Sequence, residues 1–194
     1  GAEAAARAEQ RAWLRSPPAA EDGDAAPARA AAPAASREPI VICPAQFGTK
    51  GDYDALVAAL ELAGHPTFVA PLRKLSWITG LAPSFFSADF WRGELKPARV
   101  LRFYYDALDE AVAAARAAHP GAKVHLVAHS IGGWVARAYL GEEADARVAA
   151  GEIASLTTLG TPHAAPPPDS ALAAVDQTRG LLTYVNSRFP GAHR

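Results

Sequence analysis

Residues 124–137 read Val-His-Leu-Val-Ala-His-Ser-Ile-Gly-Gly-Trp-Val-Ala-Arg. An apolar run, Val124 to Ala128, leads into Ser130, two glycines follow one residue later, and a segment of helical character comes after them. A serine hydroxyl is a weak nucleophile until a base takes its proton. It becomes reachable when it sits on a sharp strand-to-helix turn, which strains the serine backbone and demands small neighbours. Ala128 and Gly132 occupy the two flanking positions, giving A-x-S-x-G in place of the commoner G-x-S-x-G. Alanine is the smallest departure from that pattern.

The same turn would supply the electrophilic half of the chemistry. The first N–H groups of a helix have no partner within it, and the helix dipole favours negative charge there. The Ile131 N–H is therefore expected to face the oxyanion of a tetrahedral intermediate, where one donor is worth roughly 3–4 kcal/mol of barrier. The alternative is a plain strand, glycine turn and helix with an incidental serine.

Other reactive side chains fit structural roles better. His129 is adjacent to Ser130 and its side chain should point away from the hydroxyl. His163 follows a later strand on a loop bordering the site, where it would contact substrate or shape the pocket. His125 lies within the strand and reads as a packed core group. His65, His119 and His193 read as turn or surface residues. Asp169 and Asp176 are acids by position, but only His193 follows them, so a helix N-terminal and a structural role are favoured. Cys43 ends an apolar strand and reads as a packed thiol.

The elements that would position Ser130 follow from period and punctuation. Ile40–Cys43, Thr67–Ala70, Val124–Ala128 and Ile153–Leu159 read as short strands. A helix from Asp52, as its cap, to about Ala63 carries Leu56, Val57 and Leu60 at helical spacing and ends at Gly64. A long helix over about 98–118 carries the stripe Leu101, Tyr105, Leu108, Val112 and Ala115. The elbow helix covers about 131–140, and a last helical stretch, about 170–185, is interrupted at Gly180. Residues 72–97 have no clear period but are rich in aromatics; they form either a cap that binds an acyl chain or a long loop anchored on the sheet. Strands alternating with helices imply an α/β fold with a mostly parallel sheet and helices on both faces. Ligands bind such sheets beyond the carboxyl ends of the strands, where loops 44–51, 129–132 and 160–168 would meet.

Composition bounds the rest. The chain has 194 residues, a net charge of −1 and a single cysteine. That length allows one sizeable domain. The charge balance carries no signal for nucleic acid or a membrane surface, and no apolar run reaches the ~18 residues of a spanning helix. An internal disulfide is excluded, and neither metal nor cofactor is implied. Residues 1–38 are rich in alanine and proline and are expected to be disordered, as a linker or targeting region; residues 39–194 are expected to form the folded α/β part.

Four segments resemble a known family. The elbow is one. Leu156-Thr157-Thr158-Leu159-Gly160-Thr161-Pro162-His163 is a phrase shared with lipases and with hydrolases that deacylate lipid anchors. Phe90-Trp91-Arg92-Gly93-Glu94-Leu95-Lys96-Pro97 and Val175-Asp176-Gln177-Thr178-Arg179-Gly180-Leu181-Leu182 complete the set. Together they are similar to the lipase- and esterase-like α/β-hydrolases of plants, algae and cyanobacteria. The resemblance implies an α/β-hydrolase fold, carboxylic-ester hydrolysis on an ester or lipid substrate, and Ser130 as nucleophile with Ile131 as one oxyanion donor. The second donor would be the Gln46 N–H, with Phe47 as its neighbouring alternative; Ala45 replaces a glycine there and narrows the loop's freedom. A plastid location is one reading of the N-terminal bias and the photosynthetic relatives.

In α/β-hydrolases the acid and histidine follow the serine along the chain. The expectation is therefore a C-terminally truncated portion of the domain, with both residues beyond Arg194. Acyl transfer on the same scaffold, or a non-catalytic binding protein that keeps the serine as a relic, are the competing readings. Oligomeric state is not encoded in any feature of the sequence.

Overall fold

The computed structural model describes residues 37–142, 151–164 and 178–190. The expected disordered segment lies outside them except for Arg37 and Glu38, as do Asp169, Asp176 and His193.

Four strands, β1 (Ile40–Cys43), β2 (Thr67–Val69), β3 (Val124–His129) and β4 (Ile153–Leu159), form one parallel sheet in the order β2-β1-β3-β4. Their bounds match the sequence expectation to within one residue. The helices are α1 (Asp54–Leu62), α2 (Lys74–Leu81), α3 (Ala88–Arg92), α4 (Pro97–Val100), α5 (Arg102–Ala118), α6 (Gly132–Glu142) and α7 (Leu181–Arg188). The chain leaves β1 toward β2 on one side and later returns to lay β3 on the other. With right-handed crossovers, reversing direction across the sheet moves the connecting helix to the opposite face.

The core divides accordingly. Val41, Cys43, Leu126 and Ala128 point to the face covered by α5 and α6, and Val185 of α7 joins the same cluster. Ile40, Ile42 and Val69 point to the other face, where Leu56, Val57 and Leu60 of α1 pack. All five residues of the expected α5 stripe are buried. Such burial stabilises by roughly 25 cal/mol per Å² of apolar area removed from water.

Several boundaries differ from the sequence reading, each for a local reason. Asp52 is not the cap of α1. It sits in a 3-10 turn over Lys50–Tyr53, and its carboxylate accepts from the Thr49 N–H at 2.8 Å and the Thr49 hydroxyl at 2.9 Å. The single helix expected over 98–118 is broken at Leu101, whose backbone (φ −106°, ψ 19°) leaves the helical region so that its side chain can be buried. The segment without a period, 72–97, holds α2, a 3-10 turn (Ala82–Phe86) and α3, each too short to display one apolar stripe. Ser87 caps α3 by accepting from the Phe90 N–H at 3.2 Å. Of the last helical stretch, α7 is described from Leu181, just past Gly180, to Arg188.

Candidate active site

Order β2-β1-β3-β4 puts the direction reversal between β1 and β3, and the crevice beyond the carboxyl ends of those two strands is where such sheets take ligands. The loops that leave them carry Gln46 and Ser130.

Ser130 is half-buried, between β3 and α6, with φ at 54°. A left-handed backbone at a residue with a Cβ costs about 1–2 kcal/mol, so the surroundings must hold it there. Ser130 N–H donates to Leu159 O of β4 at 2.9 Å, and Ser130 O accepts from the Gly133 N–H at 3.2 Å. The two glycines after the turn are needed for close approach. A Cβ on Gly132 would lie 2.5 Å from Cys43 O and 2.8 Å from Pro44 O and the Tyr104 hydroxyl; one on Gly133 would overlap the Thr161 side chain. Ala128 is fully buried against α5 and α6.

A second constraint holds the loop after β1. Tyr104 Oη donates to Pro44 O at 2.6 Å, while the Ala45 N–H donates to Tyr53 Oη at 2.7 Å. Tyr53 Oη in turn lies 3.0 Å from His129 Nδ1, so one hydrogen-bonded chain joins the Ala45 N–H, the hydroxyl and the imidazole. Burial is the main influence raising the Tyr53 pKa, so its donor proton is retained. His129 therefore points to the α1 face, away from the serine, and fastens the elbow to the β1 loop. Neither tyrosine was singled out in the sequence; buried tyrosines at helical spacing read as core. Gly48 N–H closes a turn onto Ala45 O at 2.9 Å, and it is Phe47, at φ 59°, that takes the left-handed conformation. The alanine at 45 thus meets no demand for glycine.

Gln46 and Ile131 line one cavity of about 680 Å³. No described residue accepts from either backbone N–H. The remaining wall is largely apolar and includes Trp77, Leu81, Phe90, Leu101 and Trp134. The aromatic segment is anchored on the fold and also covers the cavity. Trp77 is an anchor, buried against the edges of Phe103 and Tyr104 at centroid distances of 5.2 and 5.8 Å. Ile78, Leu81, Phe85 and Phe90 roof the cavity. Two family-like segments meet at its far wall: Leu95 N–H donates to Arg179 O at 3.2 Å, and the Arg179 guanidinium lies over the Phe90 ring at 4.7 Å.

The described histidines are engaged elsewhere. His163 Nδ1 lies 3.3 Å from Arg137 Nη1 and its Nε2 lies 3.1 Å from Thr158 Oγ1. Arginine can only donate, so Nδ1 accepts in this contact. Arg137, 3% exposed on α6, also donates to Asn186 Oδ1 at 3.1 Å and Phe189 O at 2.8 Å, and burial lowers its pKa. It ties the elbow helix to α7, a role its place in the Gly-Gly-Trp-Val-Ala-Arg phrase did not reveal. His125 corrects the sequence reading. It is not in the core but pairs with Glu38 Oε2 at 2.7 Å and Ser155 Oγ at 2.7 Å, because it points to the α1 face beyond the part of the sheet that α1 covers. His65 Nδ1 meets Glu38 O at 2.9 Å, and His119 meets the Phe68 edge. Cys43 is a packed thiol, its pKa pushed up to about 12 by burial. No described residue hydrogen-bonds the Ser130 hydroxyl, and no described cluster of His, Cys, Asp or Glu has the makings of a metal site. No described helix is long and apolar enough to cross a membrane.

A family model described as a PGAP1-like alpha/beta domain matches residues 36–183. No curated protein matches the chain.

Proposed function

The chain belongs to the PGAP1-like alpha/beta domain family, a hydrolase-type scaffold, and on that premise we propose that it is a serine hydrolase of carboxylic esters with long acyl groups. The observation that carries this reading is Ser130 at φ 54° on the elbow, beside a cavity walled by both Gln46 and Ile131. In this reading the ester carbonyl sits at the mouth of the cavity and the acyl chain lies along Leu81, Phe90 and Trp134. Ser130 Oγ attacks the carbonyl carbon and its proton passes to a histidine that chain order places after the last strand of the sheet. The oxyanion is held by the Ile131 and Gln46 N–H groups. Collapse expels the alcohol, which takes the proton, and water then releases the acid from the acyl-serine. The phrase Leu156–His163, shared with lipases and with hydrolases that deacylate lipid anchors, favours a lipid ester as substrate, and its Thr161 lies against Gly133 of the elbow helix.

The test is covalent labelling of the full-length protein with a fluorophosphonate probe, comparing wild type with Ser130→Ala. Labelling of the wild type alone is expected. Equal labelling of both, or of neither, removes Ser130 as nucleophile.

A further inference from the structure

The roof of the cavity also carries a group of exposed large apolar side chains. Leu75, Ile78, Phe85, Phe86 and Trp91 lie within seventeen consecutive residues and are 65%, 60%, 50%, 92% and 72% exposed. Single exposed apolar residues are normal, but a contiguous group marks an interaction surface. Contiguity here is direct. Leu75 and Ile78 are one turn apart on α2. Ile78 and Phe85 line the same cavity as Phe90, whose ring meets Phe85 at 4.7 Å and Trp91 at 5.4 Å. Phe47, 46% exposed, completes the cavity rim from the β1 loop. The Trp91 indole donates to Phe85 O at 3.1 Å, so its polar atom is already satisfied and the ring can enter an apolar phase.

Charge supplies the second observation. The whole chain carries −1, yet the segment 73–99 holds five cations, Arg73, Lys74, Arg92, Lys96 and Arg99, all exposed, against Asp89 and Glu94. Arg73 and Lys74 directly precede Leu75, and Arg92 directly follows Trp91. Asp52 lies near enough to Lys74 to feel its charge, and Asp89 lies beside Lys96 and Arg99, but the segment keeps an excess of positive charge. Apolar side chains bracketed by cations suit a bilayer with anionic headgroups: the rings enter the acyl boundary and the cations remain among phosphates.

We propose that residues 73–99, with Phe47, dock the protein on an anionic lipid surface, so that the cavity mouth opens toward the bilayer. Net charge for the whole chain conceals this, because the cations are concentrated in one segment. Docking does not depend on the chemistry of Ser130.

The experiment is flotation of the full-length protein, in the Ser130→Ala background, with vesicles of phosphatidylcholine alone or with about one third phosphatidylserine, where anionic headgroups attract surface cations. Binding to the anionic vesicles, weaker on the neutral ones, is expected. Phe86→Ser with Trp91→Ser should lower the partition coefficient by at least ~10-fold, as expected when large apolar side chains no longer leave water. Arg73→Glu with Arg92→Glu should lower it about as much on anionic vesicles only. Leu62→Ser, at an equally exposed site on α1, should change nothing, and circular dichroism checks that every variant is folded. Absence of wild-type binding, or binding that survives the apolar replacements, overturns the proposal. So does a dimer that the Phe86 and Trp91 replacements convert to monomer in vesicle-free buffer, which assigns the patch to a second copy of the chain.

Discussion

Gly132→Ala is the sharpest perturbation of the elbow. A Cβ there meets Cys43 O at 2.5 Å and Pro44 O at 2.8 Å, both backbone atoms, and the Tyr104 hydroxyl at 2.8 Å. Carbon contacts are comfortable at about 3.5–4.0 Å, so α6 and β1 must separate by several tenths of an ångström or more. Neither yields easily: β1 is paired on both sides and Cys43 is fully buried. Overpacking of this kind costs about 1–3 kcal/mol, occasionally more, and the upper end applies because no flexible side-chain end can rotate away from the two carbonyls. The helix propensity of alanine returns less than ~1 kcal/mol, since position 132 is the first of the helix. A net loss of about 2 kcal/mol is expected. Gly51→Ala is the matched control, because no atom lies within 4 Å of its Cβ. Urea unfolding followed by tryptophan fluorescence reads both variants, with buried Trp77 and Trp134 as reporters. The midpoint should fall for Gly132→Ala at unchanged slope and stay within ~0.5 kcal/mol of wild type for Gly51→Ala. Tyr104→Phe in the Gly132→Ala background should recover little, since both carbonyls remain. If the two alanine variants are equally stable, the argument that β1 and the elbow are in forced contact is wrong.

Three further outcomes follow from the geometry. Cys43 titrates near 12 in the folded chain against 9.0 for an ordinary thiol; between those values the unfolded state has lost a proton that the folded state keeps, so stability falls as pH rises. The slope should approach ~1.4 kcal/mol per pH unit above pH 9 and vanish below it, and Cys43→Ala should flatten it in unfolding curves between pH 8 and 10. Arg137→Leu strands the acceptors Asn186 Oδ1, Phe189 O and His163 Nδ1, for a loss of about 2–3 kcal/mol in urea, and Arg137→Lys should recover less than half because one ammonium cannot span the fork. Leu81→Trp fills part of the 680 Å³ cavity, so turnover of long-chain esters should fall about tenfold relative to short ones; an unchanged chain-length profile would remove the cavity as the acyl site.

The strands and the elbow were legible because each is a local signal: four β-branched or apolar runs bounded by Gly, Pro or polar turns, and a serine between Ala128 and Gly132. The family match extends that reading to an α/β-hydrolase-type scaffold and goes no further into the narrower photosynthetic group. What the sequence concealed is long-range. Tyr53 and Tyr104 were indistinguishable from core aromatics until their hydroxyls met His129 and Pro44, far away in the chain. Nothing local marks Arg137 as buried; its partners Asn186 and Phe189 arrive some fifty residues later in the chain. His125 was misplaced because alternation along β3 does not say how far α1 extends over the sheet. The segment 72–97 lacked a period because its short helices turn different faces inward.

The pairing of β1 with β3 has a consequence for how the protein comes into being. Cys43 lies beside Ala128, so the two walls carrying Gln46 and Ile131 are brought together by the sheet's longest closure. The β1-α1-β2 unit is local and can form early, while long-range strand pairing is slow because chain entropy is lost before contacts repay it. Until β3 arrives, β1 presents a bare apolar edge, the kind of surface that recruits other chains. Refolding should therefore show secondary structure first and probe reactivity last. The interval between the two is when the protein is most exposed to aggregation.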